Sequence, residues 1–169
     1  QLHVVTGSSP TGTQILQAVG CAAVGRYLTR HPAAAQKHEG DYRQFKEVGY
    51  QSDEVTYVSL GDGTTSEGEF WEALNNAALD KLPLIFVVED NGYAISVPVE
   101  VQTAGGSISR LVQSFPNFHF EEVDGTDPIP CYGAFQRAAA HSRAGNGPSF
   151  IHAHVIRPYS HSLSDDERL

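Results

Sequence analysis

Five apolar residues in succession, Leu84-Ile85-Phe86-Val87-Val88, follow Pro83 and stop at Glu89-Asp90-Asn91-Gly92. The run has the length of a strand and is far too short to cross a bilayer as a helix. A strand that is apolar at every position, rather than at alternate ones, has to be covered on both faces. That is the situation of an inner strand in a parallel sheet flanked by helices. The surrounding sequence alternates accordingly. Residues 55–60 form a β-branched and aromatic run ending at Gly61. Phe70, Leu74, Ala77, Ala78 and Leu82 then recur at helical spacing until Pro83 stops them. Ser66-x-x-Glu69 matches a capping box at the start of that helix. Further downstream the pattern predicts a helix over 108–113, a strand over 119–123, a helix over 131–144 and a strand over 149–156. Upstream it predicts a strand over 2–5 and a helix over 13–29. That helix is rich in small residues (Ala18, Gly20, Ala22, Ala23, Gly25) and is expected to be buried. Strand, helix, strand at this spacing specifies an α/β fold, a doubly wound parallel sheet with helices on both faces.

The 169 residues make one domain with a sizeable core. Residues 31–53 are polar without a clear period and are read as a surface insertion, with a short helix over 42–47. A net charge of -9 argues against a nucleic-acid partner. It is compatible with phosphate ligands, which a metal ion and backbone N–H groups can hold. Cys21 and Cys131 lack metal-binding or redox spacing and are expected to be reduced, buried thiols. No membrane segment or signal peptide is visible. The chain contains no Met and opens on Gln1-Leu2-His3-Val4-Val5, so it is read as a piece of a longer protein.

Ligands of such folds sit outside the carboxyl ends of the strands. Polar turns follow four expected strand ends: Ser8-Ser9-Pro10-Thr11, Gly61-Asp62-Gly63, Asp90-Asn91 and Ser160-His161-Ser162. Asp62, between two glycines, offers a hard oxygen donor suited to Mg²⁺, and Asn91 offers a side-chain carbonyl. Gly-Asp-Gly alone is a common turn. Here 26 residues separate Gly63 from Asp90, enough for one helix and one strand.

This spacing resembles the thiamine diphosphate signature, in which Gly-Asp-Gly precedes Asn-Asn by one βαβ unit. Residues 61–70 (GDGTTSEGEF) together with Asn91-Gly92-Tyr93-Ala94-Ile95-Ser96 are similar to the alpha chain of the decarboxylating first component of 2-oxo acid dehydrogenase complexes. Ser8-Ser9-Pro10-x-x-Thr13-Gln14 makes the branched-chain type the better match. The resemblance covers nearly the whole chain, through Val123-Asp124-Gly125-Thr126-Asp127 to His161-Ser162-Leu163-Ser164-Asp165-Asp166.

The resemblance implies a thiamine diphosphate-binding fold, with Mg²⁺ held by Asp62, Asn91 and the Tyr93 carbonyl. It implies cofactor contacts from Ser9, Gly63, Thr64 and His161, with His161 also in a catalytic role. It matches a potassium site to Ser8, Pro10, Thr13 and Gln14, and it places Ser162 and Ser164 where mitochondrial relatives are phosphorylated. The implied reaction is oxidative decarboxylation of a branched-chain 2-oxo acid or pyruvate, with acyl transfer to a lipoyl group. The implied partners are a beta chain or beta domain, which supplies the activating Glu, and a lipoyl-bearing acyltransferase, in an alpha2beta2-type assembly. Lacking that Glu, the chain alone is expected to be inactive. An acetoin dehydrogenase-type enzyme and a catalytically silent assembly domain are the alternatives. A bacterial cytoplasm is favoured over a mitochondrial matrix. Three positions depart from the pattern: Asp90 stands where Asn is common, Glu89 where a basic contact to the diphosphate is common, and Thr11 where a larger apolar residue is common.

Overall fold

The computed structural model describes residues 4, 5, 7–34, 51–162 and 165. Its elements are α1 (Thr13–Arg30), β1 (Thr56–Gly61), α2 (Gly68–Asp80), β2 (Leu84–Asp90), β3 (Tyr93–Ala94), β4 (Val97–Pro98), α3 (Val99–Gln102), α4 (Ile108–Val112), β5 (His119–Asp124), α5 (Pro128–Arg143) and β6 (Ser149–His154). Four strands form one parallel sheet in the order β1-β2-β6-β5, while β3 and β4 make a small antiparallel hairpin.

The apolar run behaves as its composition requires. Successive side chains of a strand point to opposite faces. Leu84, Phe86 and Val88 enter one core with Ile15, Phe70, Leu74 and Phe150, whereas Ile85 and Val87 enter a second with Ala138 and Ile151. Helices α1 and α2 cover the first face and α5 covers the second. Burial on both faces is thus the reason that β2 has no polar alternation until Glu89.

Local chemistry fixes the helix ends. Asp127 caps α5 by accepting the Ile129 N–H at 2.9 Å, and Pro128 stands in the first turn, where no N–H is needed. At the end of α2, Lys81 turns left-handed at φ 49°, and the Leu82 N–H reaches back to the Ala77 carbonyl at 3.0 Å.

Several sequence expectations change. Ser66 does not cap α2: a 3-10 turn over Asp62–Ser66 takes up the residues before it, and Glu67 occupies the cap position without a side-chain bond. Val4 and Val5 are exposed and lie in no strand. Helix α1 is buried only along Ile15, Ala18 and Ala22, because it lies in an outer layer; Leu16, Val24 and Tyr27 face outward. Cys21 and Cys131 are free thiols as expected, but Cys21 is exposed and Cys131 half-buried. The helix expected over 42–47 and residues 35–50 of the insertion lie outside the described residues. Among the described residues no helix is long and apolar enough to cross a membrane.

Phe150 is fully buried and its ring packs between those of Phe70 and Phe120. Phe150→Ala is expected to lower stability by about 3–5 kcal/mol in urea denaturation, the cost of lost transfer energy plus a cavity.

Candidate functional site

The strand order creates a crevice. From β1 to β2 the chain moves one strand across the sheet, with α2 on the first face. From β5 to β6 it moves one strand in the opposite sense, with α5 on the second face. Right-handed crossovers demand that opposite moves use opposite faces. The two connections therefore diverge between β2 and β6, and a ligand crevice opens at the carboxyl ends of such strands.

Asp62 lies at this edge, directly after β1. It is only 1% exposed and opens the 3-10 turn. The Thr65 hydroxyl donates to its main-chain carbonyl at 2.7 Å, and the Gln102 amide donates to its carboxylate at 3.0 Å. Burial, and then the neighbouring Asp90 carboxylate, push the Asp62 carboxyl above the usual range. Backbone N–H groups of Asp62 and Asn91 and the Gln102 amide pull it back. A buried carboxylate beside a second one is an unfavourable arrangement for an anion and a favourable one for a cation.

Asn91 and Tyr93 follow β2. The Asn91 side-chain carbonyl accepts the Tyr93 N–H at 3.3 Å, and Gly92 between them is left-handed at φ 81°. Hairpin β3–β4 folds back over the turn that starts at Asp62. A Cβ on Gly63 would come within 2.7 Å of the Ala94 Cβ, so only glycine fits under the hairpin. Thr64 faces the start of α1, where a Cβ on left-handed Gly12 would meet its methyl group at 3.4 Å. Asp62, Gly63, Thr64, Asn91 and the start of the hairpin therefore converge.

The other sequence-derived residues are placed less directly. Ser8, Ser9 and Pro10 form an exposed turn before α1. The Thr13 hydroxyl donates to the Pro10 carbonyl at 2.8 Å, which brings those two oxygens together. The Gln14 amide instead donates to the Ser59 carbonyl of β1 at 3.3 Å. His161 is exposed on the loop after β6. Asp165 grips that loop by accepting the N–H groups of His161 and Ser162 at 2.8 and 2.7 Å. Arg157 pairs with Asp165 at 3.5 Å and donates to the Ile95 carbonyl at 2.7 Å, tying the His161 loop to the hairpin. Thr11 and Glu89 are both exposed.

Two residues here had no local signal. Gln102 is forty positions from the carboxylate that it touches. Arg157 keeps one buried guanidinium nitrogen, Nη1, without a partner among the described residues. Such a donor at a site edge suits an anion.

Fold and site define an α/β domain that gathers oxygen donors and backbone N–H groups at a strand-order reversal. Comparison with known proteins narrows the class. The model for the dehydrogenase E1 component family matches residues 1–169, and the chain belongs to that family. It is 40% identical to the 3-methyl-2-oxobutanoate dehydrogenase subunit alpha of Mycobacterium tuberculosis, over 94% of this chain and 37% of the relative. It is 36% identical to the 2-oxoisovalerate dehydrogenase subunit alpha of Bacillus subtilis, over 98% of this chain and 43% of the relative. The pyruvate dehydrogenase E1 component subunit alpha of Bacillus subtilis matches 72% of this chain at 37% identity, with 32% of that relative covered. Among solved structures, transketolase from Leishmania mexicana superimposes with a TM-score of 0.63 at 27% identity, over 87% of this chain and 20% of that one. The chain thus spans about two fifths of the length of the branched-chain relatives it matches.

The close approach at Gly63 makes a test. Gly63→Ala is expected to destabilise the fold by about 1–3 kcal/mol, the usual range for overpacking. Adding Ala94→Gly is expected to restore most of the loss, measured as the coupling in a double-mutant cycle by urea denaturation.

Proposed function

We propose that this chain is the diphosphate-and-metal-binding part of a thiamine diphosphate-dependent 2-oxo acid dehydrogenase first component, with a branched-chain 2-oxo acid as substrate. The observation that carries the reading is Asp62, a carboxylate 1% exposed and crowded by Asp90, opening a turn at the strand-order reversal beside Asn91 and Tyr93. The donor set fits the group: Asp62, the Asn91 side chain and the Tyr93 carbonyl are hard oxygen donors suited to Mg²⁺. Ser9, Thr64 and His161 would contact the cofactor, with Gly63 leaving room for its backbone approach. The Arg157 nitrogen that has no partner among the described residues offers a cationic donor near the same loop. The Thr13 hydroxyl and Pro10 carbonyl, 2.8 Å apart, would contribute to a potassium site with Ser8 and with Gln14, whose amide nitrogen donates to Ser59 so that its carbonyl oxygen is the group it would offer.

When bound, the cofactor supplies the electron sink for loss of carbon dioxide from the 2-oxo acid. The chain's own part is to bind and orient. Asp62 and Asn91 would hold the metal, the hairpin covers the turn that starts at Asp62, and the His161 loop, held by Asp165 and Arg157, would offer an imidazole to the cofactor. The family pattern assigns the activating Glu to a beta chain, so decarboxylation needs that partner, and a lipoyl-bearing acyltransferase takes the acyl group. A branched-chain substrate is supported by the breadth of the likeness, 94–98% of the chain against 72% for the pyruvate-type relative. The bacterial relatives support a bacterial cytoplasm.

Asp62→Ala in the full protein with its beta partner is expected to abolish Mg²⁺-dependent thiamine diphosphate binding in calorimetry while leaving the melting temperature near that of the parent. Unchanged binding would sink the metal assignment. Assays of the assembly with branched-chain 2-oxo acids and pyruvate are expected to favour the former in kcat/KM. The chain without its partner is expected to show no turnover, and measurable decarboxylation by it would refute the shared site.

A further inference from the structure

Asp90 precedes the proposed ligand Asn91, and each of its three oxygens accepts a hydrogen bond. One carboxylate oxygen accepts the Gly92 N–H at 2.8 Å, and the other accepts Nε2–H of His152 at 2.8 Å. Its main-chain carbonyl accepts the Val155 N–H at 2.8 Å. His152 is 2% exposed, and its other ring nitrogen shares a hydrogen bond with the Ser109 hydroxyl at 2.5 Å. Ser109 is itself buried in the first turn of α4. The result is a buried chain, Ser109–His152–Asp90, that ends on the N–H of Gly92. It crosses three elements: α4, β6 and the end of β2.

We infer that His152 is the positioning residue of the metal loop, clamping the Asp90 carboxylate so that Gly92 holds its left-handed turn and presents Asn91 and the Tyr93 carbonyl to the cation. The inference rests on the reading of Asn91 and Tyr93 as ligands. The clamp also gives an acidic residue at position 90 a role. With one oxygen on a backbone N–H and the other on an imidazole, the carboxylate serves the loop instead of competing for the metal. Its carboxyl is accordingly held below the usual range, chiefly by the His152 hydrogen bond. Asp90, His152 and His154 also lie close enough to surround a cation, their ligand atoms being within 4.8 Å of one another. Both nitrogens of His152 are already engaged, however, and Nε2 of His154 is on Glu122 at 2.8 Å. In this structure the cluster is hydrogen-bonded as a clamp.

Two amide substitutions separate the two ends of the ring. Glutamine places its terminal amide where Nε2 was and can still donate to Asp90. Asparagine reaches only the Nδ1 position, on the Ser109 side. Both give up the same ring packing. In the assembly with its beta partner, Mg²⁺ is titrated in the presence of thiamine diphosphate by calorimetry, and amide exchange at Gly92 is followed in the metal-free protein. His152→Asn is expected to weaken Mg²⁺ binding about tenfold or more, the usual cost of losing a partner of a ligand-bearing group, and to speed Gly92 exchange. His152→Gln is expected to stay within about threefold of the parent in affinity and to leave Gly92 exchange slow. Equal behaviour of the two variants in both measurements overturns the inference. If either fails to fold, Ser109→Ala decides: weaker Mg²⁺ binding supports the clamp and unchanged binding overturns it. Absence of Mg²⁺-dependent cofactor binding in the parent protein would sink the underlying site reading, and the Gly92 exchange contrast would still judge the clamp.

Discussion

The pairing of β2 with β6 is the constraint on which the rest depends. A strand apolar on both faces can lie only inside a parallel sheet with helices on each side. Here α2 comes from the β1–β2 crossover and α5 from the β5–β6 crossover. These two units meet along the Ile85–Asp90 and Ser149–His154 register. The hydrophobic demand of Leu84–Val88 and the handedness of crossovers together open a crevice beyond Asp90, so a packing requirement has also located the chemistry. The same seam explains why His152 can reach Asp90: both sit near the carboxyl ends of adjoining strands, with side chains on the same face.

Much of this was readable from residue order because it is local. The apolar run, the break at Asp90-Asn91-Gly92, the helix stop at Pro83 and the close of α5 at Gly145 each act within a few positions. Gly61-Asp62-Gly63 and Asn91 were legible as a pair through the length of a βαβ unit. What escaped the sequence depends on tertiary contact. Ser66 has the pattern of a cap, but the 3-10 turn started by Asp62 takes the residue away from the helix end. Gln102, Ser109 and Arg157 meet their partners across 40 to 62 positions, and no periodicity encodes such meetings. The small residues of α1 suggested burial, yet small side chains only allow close approach; whether anything approaches is decided by neighbouring elements.

Electrostatics divides the labour between two adjacent carboxylates. Asp90 has its charge answered within the protein, by an imidazole and a backbone N–H. Asp62 is buried and meets only neutral donors among the described residues, the Gln102 amide and backbone N–H groups, while the Asp90 carboxylate burdens it. Two groups of one chemical type thus acquire different tasks from their surroundings, one architectural and one left to meet a cation on the reading proposed above. Neither task can be assigned from the identity of the residue alone, and both follow from which partners answer each charge.

The long connection between β2 and β5, residues 91–118, has a consequence for how such a domain can diversify. It leaves the carboxyl end of an inner strand and must enter β5 at the far edge from the amino end, so it first roofs the crevice and then packs down the first face, where Val99, Ile108, Val112, Phe115 and Phe118 join the core. Gln102 and Ser109 hang from this roof, whereas Asp62 and His152 belong to the floor. Loop closure cost grows only slowly with length, so the stretch from Ala104 to Ser107, which adds no residue to either core, can be lengthened, trimmed or recomposed over generations while strand register and both cores stay as they are. That part of the ceiling is then editable apart from the foundation. A lineage could change what it admits to the crevice by altering this one span, without renegotiating the architecture beneath it.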